Sequence, residues 1–191
     1  MRICVYCASS SMVDRKYFEA TETLAKSFVR EKIEVVYGGG AKGLMGQLAD
    51  TILENGGKIK GVIPRFMDEI EWGHKRVKDF EYTETMHERK AKLLEGVDAV
   101  VALPGGSGTL EELLEVITLK RLGLFTRPII ILNTDGYYDP LEQMLDRCIE
   151  ENFMHPRHRD IWNFVREPEE ILQTIQSAIE WAENAIGFAV R

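Results

Sequence analysis

The sequence predicts a single α/β domain, a Rossmann-like doubly wound parallel sheet with helices on both faces. Short apolar runs alternate with longer amphipathic ones from the first residues onward, as in a βαβαβ chain. Residues 100–103 and 129–132 are almost entirely Val, Ile and Leu, which is typical of strands buried on both faces of a parallel sheet. Two glycine-rich stretches each follow a predicted strand, at the edge of such a sheet where ligands bind.

The same alternation gives the predicted elements in order. Strands are expected at residues 2–7, 33–37, 58–62, 78–82, 99–103 and 128–132, with a short one around Phe164. Helices are expected at residues 15–31 and 44–55, from Met86, and at residues 110–122, 140–151 and 168 to about 185. No internal repeat, low-complexity tract or linker interrupts this order, so we expect one domain over residues 1–191.

The net charge and the distribution of apolar residues indicate which class of partner the protein binds. No apolar run approaches the roughly 20 residues that a membrane span requires, and no signal-like segment opens the chain. We therefore expect a cytoplasmic protein without a membrane partner. A net charge of −7 repels polyanions, so we expect a small-molecule partner and no extended nucleic-acid binding.

The cysteines and histidines do not form a recognisable redox or metal motif. Three cysteines are too few for a disulfide framework and suit a reducing compartment. Cys4 and Cys7 fall in a strand, where residues three apart face opposite sides, so strand packing is favoured over a redox pair. His155 and His158 lack further ligands at metal spacing and are interpreted as a polar loop pair. We expect no metal.

The most informative segment is PGGSGTLEE at residues 104–112, between a predicted strand and a predicted helix. Glycines let the backbone turn sharply and point several N–H groups at one spot, and a helix start adds its positive dipole end. This pattern predicts a phosphate-binding loop. Glu112 places a carboxylate about one turn into the helix.

The second glycine-rich segment, GGGAKGLMG at residues 38–46, contains the G-x-G-x-x-G pattern of dinucleotide-binding proteins. The next predicted strand lacks the acidic residue that would hold a nicotinamide cofactor's ribose, so NAD binding is not favoured. Neither loop ends in Gly-Lys-Ser/Thr, which argues against a Walker-type NTPase. Tight turns without a ligand remain the alternative for either loop taken alone.

Spacing also allows purely structural roles for the polar residues. Thr109 with Glu112, and Thr85 with Glu88, match the capping box that satisfies free N–H groups at a helix start. Spacing alone leaves both a capping and a catalytic role open for Glu112.

The segment MHERK at residues 86–90, followed by residues 104–112, resembles the LOG (Lonely Guy) family of cytokinin riboside 5′-monophosphate phosphoribohydrolases, which are often misnamed lysine decarboxylases. The likeness extends through VYGGG at 36–40, GLMG at 43–46, LLEVIT at 113–118 and NTDGYY at 133–138. It covers about residues 4–141, and the two linked motifs are specific to the family.

The resemblance implies hydrolysis of the N-glycosidic bond of a purine riboside 5′-monophosphate, either AMP or an N6-prenylated cytokinin nucleotide. It implies that Arg89 and Glu112 form the catalytic pair. The other implied substrate contacts are Gly39, Gly40, Met45, Glu71, Lys90, Gly106, Ser107, Gly108, Thr109, Leu110, Glu111 and Thr118. Ser107 replaces the aromatic residue found in many members, and residues 66–83 and the C-terminal tail depart from the plant pattern.

The chemistry of these residues agrees with that expectation. Cleavage of a C1′–N bond builds positive charge on the ribose, which a carboxylate at Glu112 can stabilise while it orients the attacking water. Arg89 is always cationic, so we assign it to positioning the substrate and leave the proton donor open.

The resemblance also implies a homodimer with active sites near the interface. One alternative is a non-catalytic nucleotide-binding protein that uses the same loops. A pyridoxal phosphate decarboxylase is not favoured, because the sequence shows no Schiff-base lysine with a partner for the ring nitrogen. No cofactor is expected.

Overall fold

The computed structural model describes residues 1–68, 72–181, 185 and 187. Within these residues seven strands pair in parallel in the order β4-β3-β2-β1-β5-β6-β7. The strands are β1 Arg2–Tyr6, β2 Glu34–Tyr37, β3 Lys58–Pro64, β4 Asp79–Thr83, β5 Ala99–Ala102, β6 Ile129–Leu132 and β7 Asn163–Val165. The doubly wound parallel sheet predicted from the sequence is confirmed.

The helices fill the connections between strands. They are α1 Arg15–Arg30, α2 Gly43–Glu54, α3 Arg65–Asp68, α4 Met86–Leu94, α5 Ser107–Arg121, α6 Asp139–Glu150 and α7 Ile171–Ser177, with short 3-10 turns at Thr134–Gly136, Pro156–Ile161 and Pro168–Glu170. The four-residue helix α3 was not predicted. In the described part of the chain, no helix is long and apolar enough to cross a membrane.

Two apolar layers enclose the sheet. On one face, Ile3 and Val5 of β1 pack with side chains of α1 and α2, such as Phe28 and Leu48. On the other face, residues of α4, α5 and α6 pack against the alternate positions of the same strand. Each fully buried aliphatic side chain contributes roughly 1.5–3 kcal/mol. The central strands β5 and β6, which are buried on both faces, are accordingly apolar at every position.

The cysteine pair and the histidine pair both have structural roles. Cys4 and Cys7 are both buried and free, and they pack into opposite layers, as the strand interpretation predicted. His155 and His158 cap a 3-10 turn, because His158 Nδ1 accepts from the backbone N–H of His155 and His155 Nδ1 accepts from that of Arg157.

Two predicted helix boundaries are wrong for physical reasons. Helix α5 begins at Ser107, three residues earlier than expected, because the extended Gly106 serves as its N-cap without a side-chain hydrogen bond. The last helix ends at Ser177, because Ala178 is extended (φ −61°, ψ 141°). The chain then brings Trp181 to the end of α5, where its indole N–H donates to Lys120 O at 2.5 Å. The rest of the predicted helix falls partly outside the described residues.

The sheet order places both glycine-rich loops at the carboxyl ends of the strands. The chain reverses its winding direction between β1 and β5, which are adjacent in the sheet. The loops after β1, β2 and β5 therefore meet at the carboxyl ends of neighbouring strands, which is where ligands bind in such folds.

Candidate active site

A buried ion pair lies where these loops meet. Arg89 and Glu112 are only 6% and 9% exposed, and Arg89 Nη1 donates to Glu112 Oε1 at 2.7 Å. Removing one partner of such a pair leaves an uncompensated buried charge, which typically costs about 3–5 kcal/mol. The structure thus brings together the two residues to which the family resemblance gives catalysis.

Arg89 is fixed by three acceptors from three different elements. Besides Glu112, its Nε donates to Val62 O at 3.2 Å and its Nη2 donates to Gly38 O at 3.4 Å. These contacts hold the plane of the guanidinium, because the donors point in fixed directions. Val62 and Gly38 were not predicted, since a backbone carbonyl acceptor leaves no signature in residue type.

The helix that carries Arg89 has a well-defined start. Thr85 Oγ1 accepts from the backbone N–H of Glu88 at 3.1 Å, as the predicted capping box requires. The Glu88 carboxylate reaches one residue further back than expected and accepts from Glu84 N at 2.9 Å. Arg89 follows directly, in the first turn of α4.

Glu112 has no capping role. Thr109 lies inside the first turn of α5 and Glu112 is bonded to Arg89, so of the two roles left open by the spacing, capping does not apply. Burial raises the pKa of Glu112, and the adjacent Arg89 partly offsets that rise. A carboxylate in such surroundings is poorly solvated and responds strongly to positive charge placed beside it.

The start of α5 is open to a ligand. Gly106 and Gly108 are exposed, and a Cβ built on either one meets no other atom within 4 Å. Because Gly106 provides no side-chain cap, the first N–H groups of α5 are free to bind an anion. Glu112 follows Ser107 by five residues, or about 7.5 Å along the helix axis.

Two tyrosines hold this loop from behind. Tyr137 donates its hydroxyl to Gly105 O at 2.6 Å, and Tyr138 donates to Leu103 O at 2.8 Å. Both bonds end on backbone carbonyl oxygens, so they fix the path of the backbone into α5 without using its N–H groups. Neither tyrosine was predicted as part of the site, because the sequence alone does not reveal that the loop after β6 packs against the loop after β5.

Lys90 and Glu111, both expected substrate contacts, are paired with each other. The Lys90 ammonium lies 2.5 Å from a Glu111 oxygen and 2.9 Å from a Glu115 oxygen. Hydrogen bonds to these two carboxylates raise the pKa of Lys90, so it stays cationic. This ion pair lies beside the Arg89–Glu112 pair, at neighbouring positions of α4 and α5.

A cavity of about 250 Å³ lies beside Arg89. Gly40 and Met45, two of the expected substrate contacts, line it together with Ile63, Met67 and Trp72. The walls are mainly apolar, and the guanidinium of Arg89 supplies a charged surface within it. Such a cavity suits a planar, partly apolar group with a few polar edges.

The remaining predicted residues fall in different places. Gly39 is buried beneath its loop, beside Phe80 and Ile63. Ser107 is exposed and Leu110 half-buried at the start of α5. Thr118 lies about 9 Å beyond Glu112 on the exposed side of α5, and its hydroxyl donates to Leu114 O. Glu71 lies outside the described residues.

The fold and the site together define a Rossmann-like α/β protein with a buried carboxylate close to an open helix start. Residues 45–175 match the protein family described as "Possible lysine decarboxylase". The solved structure of the molybdenum cofactor carrier protein from Chlamydomonas reinhardtii matches with a TM-score of 0.67 over 93% of this chain and 96% of that one. At 17% identity, that match shows a shared fold.

Two plant sequences are much closer. The chain is 44% identical over 168 residues to rice (Oryza sativa subsp. japonica) "Probable cytokinin riboside 5'-monophosphate phosphoribohydrolase LOGL9", covering 88% of this chain and 73% of that protein. It is 42% identical over 160 residues to Arabidopsis thaliana cytokinin riboside 5′-monophosphate phosphoribohydrolase LOG7, covering 84% and 74%. The chain belongs to the LOG family, as its motifs predicted.

Proposed function

We propose that this protein is an enzyme that hydrolyses the N-glycosidic bond of a purine riboside 5′-monophosphate, releasing the free base and ribose 5-phosphate. The observation that carries the proposal is the buried Glu112 carboxylate, bonded to Arg89, just below a helix start whose glycines face open space. The names of the curated relatives support the same activity and favour it over a non-catalytic nucleotide-binding protein.

The substrate phosphate is assigned to the start of α5. The free N–H groups around Gly106 and Gly108 and the helix dipole supply positive potential there, and Thr109 adds a hydroxyl in the same turn. Phosphate bound at this distance from the reacting bond supplies remote binding energy that orients the ribose.

The reaction itself is assigned to Glu112. As the C1′–N bond breaks, its electron pair leaves with the base and the ribose ring gains positive charge. The Glu112 carboxylate stabilises that charge and orients a water molecule, whose oxygen bonds to C1′. The proton that this water loses balances the proton that the departing base takes up to become the free base. Burial strengthens the electrostatic attraction, because little water screens it.

Arg89 is assigned to positioning. A guanidinium is a poor proton donor, so Arg89 is not assigned to protonating the leaving base. Its ion pair fixes the orientation of the Glu112 carboxylate and favours the ionised form, and its guanidinium offers donors towards the cavity. Lys90 adds a second cation at the outer side of the site, balanced by Glu111 and Glu115.

The base is assigned to the cavity lined by Met45, Met67 and Trp72. Thioether and aromatic side chains pack well against a purine ring. The cavity volume of about 250 Å³ is compatible with adenine and with an N6-prenylated adenine. Both AMP and the prenylated nucleotide therefore stand as candidate substrates.

The activity test is chromatographic detection of free base and ribose 5-phosphate from AMP and from isopentenyladenosine monophosphate. Glu112→Gln should lower kcat by about a hundred- to ten-thousandfold with the fold retained. Glu19→Gln is the matched control, because it makes the same chemical change on the exposed side of α1. Full activity in Glu112→Gln would remove Glu112 from catalysis, and no release from either nucleotide by the wild type would overturn the proposed activity.

The active unit is proposed to be a homodimer. Met86 on α4 and Leu114 on α5 are 39% and 43% exposed, and Thr118 lies on the same exposed side of α5. A second subunit over this surface would bring Thr118 to an interface and cover the apolar side chains. Light scattering should give twice the chain mass, and Leu114→Glu should reduce it to one chain. A monomeric wild type would contradict the proposal.

A cytoplasmic location is proposed on the cysteines. Cys4, Cys7 and Cys148 are all free thiols, as a reducing compartment maintains them. Cell fractionation should recover the protein with cytoplasmic markers, and recovery with an exported fraction would contradict the assignment.

A further inference from the structure

Gly38 faces the catalytic arginine directly. An ideal Cβ built on Gly38 would lie 2.3 Å from Arg89 Nη2 and 3.5 Å from Arg89 Cζ. A carbon and a nitrogen that are not bonded cannot approach so closely, so any side chain at this position would displace the guanidinium.

The requirement for glycine here is not one of backbone conformation. Gly38 is absent from the residues with positive φ, whereas its neighbour Gly39 has a φ of 78°. A residue with a Cβ could adopt the backbone angles of Gly38 without strain of the left-handed kind. Glycine is needed because the Arg89 guanidinium occupies the space that a Cβ would take.

Arg89 has little freedom to move aside. Its guanidinium donates to Glu112, to Val62 O and to Gly38 O, and the residue is 6% exposed. Moving Nη2 away from Gly38 therefore disturbs the bond from Nη1 to Glu112 on the same rigid plane. Gly40 differs, because its Cβ would meet mainly Met45 Sδ, at 2.7 Å, the flexible part of a side chain.

We propose that Gly38 is a positioning residue whose missing side chain sets the place of the Arg89 guanidinium and, through it, the orientation of the Glu112 carboxylate. The catalytic part of this inference rests on the proposed phosphoribohydrolase function. The geometric part concerns the ion pair alone and can be measured without turnover.

The kinetic expectation is a loss in the chemical step. Displacement of a catalytic group by about 1 Å can reduce turnover by roughly a hundredfold, so Gly38→Ala should lower kcat by about that factor. The KM for AMP should change by a smaller factor than kcat, because the phosphate is bound by another loop. A kcat within about twofold of the wild type would overturn the proposal.

The decisive experiment is a double-mutant cycle on the Glu112 carboxyl. Its pKa is followed by carbon-13 NMR in wild type, Gly38→Ala, Arg89→Met and the double variant, with the signal assigned by its loss in Glu112→Gln. Gly38→Ala should raise this pKa, because the cation that favours ionisation moves away. In the Arg89→Met background, Gly38→Ala should have no further effect.

Gly40→Ala is the matched control for the pKa measurement and should leave the Glu112 signal close to its wild-type titration. Additive effects of Gly38→Ala and Arg89→Met on the pKa would overturn the proposal. If Gly38→Ala does not fold, recovery of folding in the double variant supports it and failure of the double variant contradicts it. Absence of hydrolysis in every protein, with the pKa cycle intact, would refute the function and leave the role of Gly38 standing.

Discussion

The two glycine-rich loops have similar compositions, but their glycines are needed for different reasons. In the loop after β2, added side chains would collide with the protein: at Gly38 with Arg89, and at Gly43 with the backbone of Ser9 and Ser10 at 2.5 Å. At Gly106 and Gly108 in the loop after β5, an added Cβ meets nothing within 4 Å. Gly38 and Gly43 in the first loop are needed because other parts of the protein pack against them. Gly106 and Gly108 in the second loop border open space, which a ligand can occupy.

The surroundings of the loops agree with this division. The first loop is joined to the segment before β4 by hydrogen bonds from Ala41 N to Trp72 O and from His74 N to Gly39 O, both 3.0 Å. The second loop is bonded from behind by Tyr137 and Tyr138, and its front remains open. The first loop thus forms a fixed wall of the site, and the second is the loop that we propose binds the ligand.

The largest expected effect is at Gly43. It has a φ of 61°, so Gly43→Ala adds backbone strain to the collision with Ser10 O. Strain and overpacking together should lower the free energy of unfolding by roughly 3 kcal/mol or more. Urea denaturation measures this, with Gly108→Ala as the comparison, and an unchanged midpoint would show that the first loop tolerates side chains.

At Gly108 a smaller effect is expected, on substrate binding and not on stability. Ala is a better helix former than Gly by up to about 1 kcal/mol, so Gly108→Ala should fold at least as stably as the wild type. The new methyl group lies at the open helix start, so we expect the KM for AMP to rise about tenfold. An unchanged KM would remove the ligand-binding explanation for this loop.

The smallest expected effect concerns pH. Because burial raises the pKa of Glu112, the acid limb of kcat/KM should lie above the ordinary carboxyl value of 4.5. The same shift stabilises the folded protein below the ordinary pKa, and this contribution is lost as the pH rises through the folded value. Glu112→Gln should remove that part of the pH dependence of urea unfolding. An acid limb at or below the ordinary carboxyl value would contradict the burial argument.

Much of the architecture follows from the sequence because its signals are local. The order of strands and helices was predicted from apolar periodicity, and the caps of α4 from the spacing of Thr85 and Glu88. The start of α5 was missed, because Gly106 provides an N-cap that no side-chain pattern reveals. The end of the last helix was missed because Trp181 packs against a distant residue, Lys120.

The site was predicted only in part, because its contacts join residues that are far apart in the sequence. The pairing of Arg89 with Glu112 was expected from the family motifs and not from spacing, since 23 residues separate them. Gly38 belongs to a motif seen in the sequence, but its contact with Arg89 spans 51 residues and depends on the order of strands in the sheet. Long-range packing of this kind has no signature in a local stretch of sequence.

The most direct test of the account is the ratio of kcat/KM for AMP to that for adenosine. If the open loop binds phosphate through two or more charge-assisted hydrogen bonds, the ratio should be about a hundred- to ten-thousandfold. Gly108→Ala should reduce it by slowing AMP while leaving adenosine hydrolysis nearly unchanged. Equal values for the two substrates in the wild type would contradict the division of roles between the two loops.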